Sequence, residues 1–487
     1  LGYLFELFAS CCTKTPDAPA VDVPGRVHTY RDLMDRVEAL GAVLADGGVR
    51  PGARVGVAPL RGAEMYAVVA ALSRQGCAVV PFYDGKEGDD RDRLRRLGVE
   101  TLVVHSGEDT VVERIDGALT GAHVPEGCAY VIGTSGSTAI PKNVPISDAN
   151  LRAFAEHFQS LGVSKEGDRL AQNYTTTFDG FFLMLVLAWT AGACLVLPAR
   201  RENLLVDTFV RERGITVWNS VPSHLRMARR LGHLAEGSMP GVRVCVLAGE
   251  PLLPDLVTAW RTAAVNSSVV NLYGPSEVTI GSNTHTIEAG EPLRLVDGRI
   301  PIGPVFPSVE SMLVPHGDDG EGVELFELCL RGRQRLTGYA DPADNAGRFY
   351  AGDSDPLAPT EVTTPDEHSW YRSGDLVSRS ELGLVHRGRR TREVKLLGRR
   401  VDLANVERVL GQDPRVEAAH AFVEGDVVIA AVEGKQGDGT GIDTSALRDY
   451  ARPAEVVWVA AMPTLPNGKT DVLALEAAVR ASLTSGA

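Results

Sequence analysis

The first 125 residues alternate two patterns, and that alternation restricts the chain to one kind of architecture. Thr29–Ala45 (TYRDLMDRVEALGAVLA) and Ala63–Gln75 space their apolar residues three and four apart, as one face of a helix requires. Arg54–Pro59 (RVGVAP) and Ala78–Phe82 are short apolar runs that read as buried strands. Parallel strands need a helical crossover, so strand–helix–strand in so little chain closes as a parallel sheet covered by helices. The signal returns at Ile215–Val221, Val242–Leu247 and Ser268–Leu272, each followed by polar or glycine-rich residues. Ligands of such sheets bind outside the carboxyl ends of the strands.

After about Ser282 the pattern changes. Leu293–Val296 and Phe326–Leu330 read as strands of a smaller β-rich subdomain, and beyond Arg390 come short strands with helices at Ala404–Leu410 and Thr444–Tyr450. The expected fold is therefore α/β. A large N-terminal domain (residues 1–389) of parallel-type sheets, helices and a β-rich subdomain precedes a small α+β C-terminal domain (residues 390–487). The 487 residues are ample for two such cores. Gly434–Gly441 (GKQGDGTG) reads as a loop, and Glu87–Arg96 (EGDDRDRLRR) as solvated surface.

A net charge of −14 argues against nucleic acid or an anionic membrane as the partner. The seven cysteines show no C-x-x-C, and the histidines no H-E-x-x-H, so neither a disulfide framework nor a zinc site is expected. Cys77, Cys194, Cys245 and Cys329 lie among apolar residues as reduced core thiols would, which points to the cytoplasm. No charged leader with an apolar core opens the sequence. The apolar run Phe181–Leu197 is interrupted by Thr190 and Gly192. It reads as a buried helix to about Trp189, a turn, and a strand ending at Pro198.

Tyr130–Val144 (YVIGTSGSTAIPKNV) gathers Thr134, Ser135, Gly136, Ser137 and Thr138, then Lys142 after Pro141. Small residues let backbone approach a polyphosphate, and hydroxyls, N–H groups and a lysine donate to its oxygens. The apolar Ala129–Ile132 places this loop at the end of a buried strand. Alone it also fits a Ser/Thr-rich surface turn. Four further segments stand in order: Leu247–Pro251 with Asn271–Ile280 (LAGEP, NLYGPSEVTI), Tyr371–Val377 (YRSGDLV), Gly388–Arg400 (GRRTREVKLLGRR) and Pro466–Asp471 (PNGKTD). Gly468-Lys469-Thr470 would end a P-loop only with glycine at position 463, where Pro463 stands.

Taken in this order, the segments resemble the amino-acid adenylation domains of nonribosomal peptide assembly, within the adenylate-forming superfamily. Weaker likeness at TPDAPAV (residues 15–21) and TYRDL (29–33) extends it over nearly the whole chain. The resemblance implies ATP and Mg2+ as cofactors. It assigns the phosphates to Thr134, Ser135, Gly136, Ser137, Thr138 and Lys142, and the adenine side to Gly249, Glu250, Pro251, Asn271, Tyr273, Gly274 and Ser276. Glu277 would hold the metal, Asp375 the ribose hydroxyls, and Arg389 the nucleotide. Thr134, Glu277 and Lys469 would be catalytic, Lys469 by facing the charge that develops at the α-phosphate. Thr391 would be the hinge of a mobile C-terminal domain. The chain departs from the family pattern at Ala139 and Asn143, which replace glycine, and at Thr391 and Glu393, which replace aspartate and glutamine.

Asp179 lies in the otherwise apolar Thr175–Met184 (TTTFDGFFLM), where an ionised carboxylate is costly without a cation or a structural hydrogen bond. The resemblance supplies the cation as the substrate's amino group. Gly180, Leu183, Ser223, Val246, Ala248, Leu272, Ile280 and Gly281 then become the pocket walls. None of these is charged, so a neutral, apolar or aromatic amino acid fits, with its amine on the α- or β-carbon.

The sequence ends 18 residues after Lys469, without a Gly-Gly-x-Ser site or an H-H-x-x-x-D-G motif. The expectation is a free-standing enzyme that forms aminoacyl-AMP and loads the phosphopantetheine thiol of a separate carrier protein. The need for a small activating protein is left open. Free coenzyme A as acceptor would make it an acyl- or aryl-CoA synthetase. A nucleotide-binding pseudoenzyme is the other class; Glu277, Asp375, Arg389 and Lys469, all present, weigh against it.

Overall fold

The computed structural model describes residues 1–487 except 61, 83–89, 107–108, 135–141, 200, 320–321, 397–398, 426, 437–440, 448, 466–468 and 486–487. For residues 106, 391, 393, 395, 396, 399, 400, 402, 450, 484 and 485 it describes only the backbone. The chain packs as two compact units. The first holds residues 1–312, 329–373 and 381–383, and the second residues 313–328, 374–380 and 384–487.

The first unit carries two mixed sheets with parallel centres. One runs in the order Asp109–Arg114, Thr101–Ser106, Arg54–Val57, Ala78–Pro81, Cys128–Thr134, Lys142–Ser147, and its two edge strands are antiparallel. The other has Ser268–Tyr273, Val244–Ala248, Val217–Ser220, Arg169–Ala171, Cys194–Val196 and Pro19–Val23 in parallel. Asn283–Ile287 and Arg26–Thr29 flank it antiparallel. The helix Tyr30–Asp46 starts where the pattern predicts, because Thr29 and Asp32 form a reciprocal capping box. Gly180–Ala191 is apolar all round and buried through Trp189, and Gly192 closes it at φ +69°. Among the described residues no helix is long and apolar enough to cross a membrane.

One face of the larger sheet packs Trp218, Cys245, Leu247 and Val269 against Phe209, Leu225, Leu256 and Trp260 of three covering helices. The alternate residues point to the opposite face, which carries the site described below.

The second unit sets Val416–Glu424, Val427–Gly434 and Glu455–Val459 in one sheet beside the helices Leu403–Leu410 and Val472–Ser485. Its core joins Val406, Leu410, Ala421 and Val432.

Three expectations fail for local reasons. Leu293–Val296 is not a strand: Val296 and Arg299 exchange both backbone hydrogen bonds, and Asp297 turns at φ +49°, so the segment closes on itself. Thr444–Tyr450 is not an α-helix. It makes a turn at Leu447 and a 3₁₀ turn at Asp449–Ala451, stopped by Pro453, while Arg452 donates to the carbonyls of Thr444 and Leu447. Within the supposedly solvated Glu87–Arg96, Arg93 is 6% exposed and its guanidinium donates to the Pro81 carbonyl. All seven cysteines are free, and of them Cys12 alone is only half-buried.

Candidate active site

The phosphate-loop candidate joins two neighbouring antiparallel strands. Thr134 ends one and pairs with Lys142, which starts the next. Ser135, Gly136, Ser137 and Thr138 lie outside the described residues. Lys142 Nζ lies 3.3 Å from Asp344 Oδ1, donates to the Asp344 carbonyl at 3.1 Å, and sits 5.1 Å from the centre of the Tyr339 ring. Arg93 adds a brace that the sequence did not reveal. Its Nη1 donates at 3.0 Å to Asn143 Oδ1, the residue that stands where the family has glycine. Burial lowers the Arg93 pKa, and Asp90 opposes that effect.

The Tyr273–Gly281 turn follows the carboxyl end of a central strand. Gly274 is required there, because a Cβ would lie 2.4 Å from the Gly281 Cα. Thr279 (φ +54°) and Ile280 (φ +67°) hold left-handed backbone that branched residues avoid. The buried Gln334 secures them: its carbonyl accepts from Thr279 Oγ1 at 2.6 Å, and its amide donates to the carbonyls of Val278 and Gly281. Ser276 and Glu277 lie in a single 3₁₀ turn just before these secured residues.

Glu277 is 8% exposed and accepts from Tyr339 Oη at 2.6 Å, while its backbone carbonyl accepts from Leu336 N–H. Burial, reinforced by the Glu277 charge, pushes the Tyr339 pKa far above its usual range, so this phenol stays a donor. Among the described residues no group of three or more His, Cys, Asp or Glu could hold a metal. One carboxylate with an oxygen beyond the tyrosine bond nevertheless fits Mg2+, which takes one or two protein carboxylates and completes its shell with phosphate and water.

Ser276 Oγ donates to Asp179 Oδ2, so this turn also ties the metal candidate to the acid candidate. Asp179 is 6% exposed and precedes the apolar helix that starts at Gly180. Gly180 is pressed by the Tyr174 ring, whose Cγ would lie 2.8 Å from an added Cβ. Leu183, Val246, Leu272, Ile280 and Gly281 are buried, and Ala248 is half-buried. Gly281 packs on Leu272, 2.4 Å from a would-be Cβ.

Other candidates have partners of their own. Glu250, expected on the adenine side, accepts from both the N–H (2.8 Å) and the hydroxyl (3.0 Å) of Ser223, expected in the acid pocket. Its charge thereby sits at the N-terminus of the helix Pro222–Arg230. Asn271 Nδ2 donates to the Pro301 carbonyl. Gly249 (φ +84°) and Pro251 are exposed, and Tyr273 is half-buried.

In the second unit, Asp375 is 4% exposed and accepts from Arg389 Nε at 2.8 Å, with His386 Nε2 at 3.6 Å. The backbone at Lys469 pairs with near neighbours, and Pro466, Asn467 and Gly468 lie outside the described residues. Leu465 N–H donates to the Lys469 carbonyl at 2.7 Å, and Thr464 bridges Thr470. The backbone of Thr391 lies in the 3₁₀ turn Arg390–Arg392. Beside it, Arg392 pairs with Glu407 and donates to the Ala421 carbonyl.

Sequence reasoning missed Arg93, Gln334 and Tyr339. Only Arg93 left a trace, as an arginine followed by Leu94 in an otherwise charged run, with Leu94 itself buried.

Comparison with known proteins gives the chain a family. The AMP-binding enzyme family matches residues 8–340. Enterobactin synthase component F of Escherichia coli K12 is 29% identical over 97% of this chain, which spans 39% of that protein's length. Novobiocin biosynthesis protein H of Streptomyces niveus is 29% identical over 99% of the chain and 84% of its own length. Among solved structures, IdnL7 superposes with a TM-score of 0.81 at 27% identity, covering 99% of both chains. The Vibrio cholerae adenylation domain AlmE, solved with glycyl-adenosine-5'-phosphate, gives 0.67 at 23% identity over 98% of both, a likeness of fold.

Proposed function

Because this chain belongs to the AMP-binding enzyme family, we propose that it activates an amino acid as its adenylate and passes the acyl group to a carrier-protein thiol. The observation that supports this reading is the single turn that holds Glu277 and, through Ser276, gives Asp179 a partner.

In the first half-reaction the ammonium of the substrate pairs with the buried Asp179, which places the carboxylate near the strand ends. The carboxylate oxygen attacks the α-phosphorus of ATP, and pyrophosphate leaves. Lys142 and the hydroxyls of the Thr134–Thr138 segment bind the phosphates. Mg2+ held at Glu277 would neutralise phosphate charge. Lys469 stabilises the charge that builds on the α-phosphate, and Asp375 with Arg389 orients the ribose. In the second half-reaction the phosphopantetheine thiolate of a carrier protein attacks the acyl carbon and expels AMP. Motion about Thr391 withdraws Lys469 between the two.

The division of labour follows the proposed boundary, with residues 1–389 for binding and 390–487 for Lys469. The uncharged walls Gly180, Leu183, Val246, Ala248, Leu272, Ile280 and Gly281 favour a neutral substrate, apolar or aromatic, with an α- or β-amine.

The test is pyrophosphate exchange into ATP across α-amino, β-amino, aryl and fatty acids. A sharp response to one amino acid is expected. A response confined to acids without an amine would make Asp179 structural and favour the CoA-ligase chemistry. ATP binding with no exchange for any acid would reduce the chain to a nucleotide-binding protein.

A further inference from the structure

We propose that Asp344 sets the affinity for the nucleotide by competing with phosphate for the Lys142 ammonium. This rests on the reading above, in which Lys142 binds the phosphates, and adds to it a residue that acts through Lys142.

The ammonium of Lys142 is already engaged. It donates to the Asp344 carbonyl at 3.1 Å, lies 3.3 Å from Asp344 Oδ1, and sits 5.1 Å from the centre of the Tyr339 ring. An ammonium has three protons to donate, so the carbonyl and carboxylate of one residue take up two of its directions. The carbonyl and the ring are uncharged and tolerate a phosphate on the remaining side. The carboxylate differs. It neutralises the charge that a phosphate would use, and it repels a phosphate of like sign.

The contact is built into the fold and is no chance meeting of two long side chains. Asp344 stands in the 3₁₀ turn Pro342–Asn345. There Asp341 Oδ1 accepts from Ala343 N–H at 2.9 Å, and the Asp341 carbonyl accepts from Asp344 N–H at 3.0 Å. Asn345 Oδ1 accepts from Tyr339 N–H, and Ala340 N–H donates to the Asn143 carbonyl. The turn is thereby fastened to the strand that Lys142 begins. The Lys142 side chain is 15% exposed and that of Asp344 31%, so the carboxylate is the partner with solvent to move into when phosphate takes its place. The same competition acts on pyrophosphate. A residue that weakens ATP binding therefore also eases departure of the product.

Asp344→Asn tests this, because it keeps the carbonyl contact and the shape of the side chain and removes the charge. In pyrophosphate exchange with an amino acid that the enzyme accepts, KM for ATP and for pyrophosphate should both fall roughly two- to fivefold, the range that a partly exposed ion pair is worth. KM for the amino acid should not change, and equilibrium dialysis with ATP alone should show the same gain. Asp344→Ala should reproduce the effect, which guards against misfolding of the first variant, and thermal melts report folding. Asp344→Glu restores a carboxylate and should return KM towards the wild-type value. An unchanged or raised KM for ATP in the two folded, uncharged variants would overturn the proposal, and so would equal changes for ATP and amino acid. Absence of exchange with any acid in the wild-type enzyme would instead overturn the adenylation reading, and ATP dialysis would still decide whether Asp344 competes.

Discussion

In the proposed reaction Glu277 and Lys469 carry the two charges needed most, and the protein holds them in different ways. Glu277 is fixed from outside its own segment: Tyr339 binds its carboxylate, Leu336 its carbonyl, and Gln334 the strained residues that follow. The backbone of Lys469 and Thr470 pairs with near neighbours, Leu465 and Thr464. Pairings between near neighbours travel with their own domain. A turn tied to distant residues cannot move without breaking them. The difference suits the roles proposed here, a carboxylate that stays at the strand ends and a lysine that is withdrawn between the half-reactions.

The largest expected effect breaks this comparison most directly. Lys469→Ala should slow adenylation on the order of a hundred- to a thousandfold, as the loss of one fixed donor to a developing oxyanion does. Thioester formation from preformed aminoacyl-adenylate should change little. Pyrophosphate exchange and single-turnover thiol transfer measure the two halves separately, and equal losses in both would show that Lys469 does not alternate.

A second test asks whether the strand pair of Thr134 and Lys142 is braced from outside as Glu277 is. Arg93→Met should leave the Pro81 carbonyl and the Asn143 amide oxygen without their donor, a loss of about 1–3 kcal/mol in folding stability. Denaturant melts read this directly. An unchanged midpoint would mean that the brace is replaceable by water.

Tyr339→Phe tests the carboxylate side more gently. The ring beneath Lys142 remains, but Glu277 loses a hydrogen bond to a charged acceptor, worth about 1.5 kcal/mol. The expected readout is roughly a tenfold rise in the Mg2+ concentration needed for half-maximal exchange. An unaltered Mg2+ dependence would detach Tyr339 from the metal role of Glu277.

Much of this was legible beforehand, and the reason is local. The strand and helix periods of the first 125 residues are set by neighbours in sequence, so Arg54–Val57 and Tyr30–Asp46 appear within a residue or two of their predicted ends. Asp179 and Glu277 were visible because a carboxylate in an apolar run, or after a Tyr-Gly-Pro turn, stands out. Their link through Ser276 was not, since 97 residues separate the partners. Gln334 and Tyr339 were invisible for the same reason: their role is to hold a turn 53 to 62 residues earlier, and nothing in their own surroundings announces it. Leu293–Val296 misled because apolar residues also serve as plugs. Leu293 packs on the core without entering the sheet.

The smallest effect concerns pH, at the helix whose N-terminus Glu250 and Ser223 share. His224 follows Ser223, meets Trp218 edge-on at 5.4 Å between ring centres, and its Nε2 lies 2.7 Å from the Asn203 carbonyl. A neutral ring donates there, and burial lowers the His224 pKa below its usual 6.5, outweighing the help that the carbonyl gives the cation. The folded state therefore prefers the neutral ring, while the unfolded chain takes up a proton as pH falls through 6.5. The stability contributed by this preference is complete above pH 6.5 and declines below it, as the unfolded state binds the extra proton. Melting curves from pH 8 to 5 should show the first unit losing stability on the acid side. His224→Gln, which retains a donor for Asn203 and cannot titrate, should flatten that part of the profile. An identical acid slope in the variant would assign it to other groups and leave the His224 ring as packing alone.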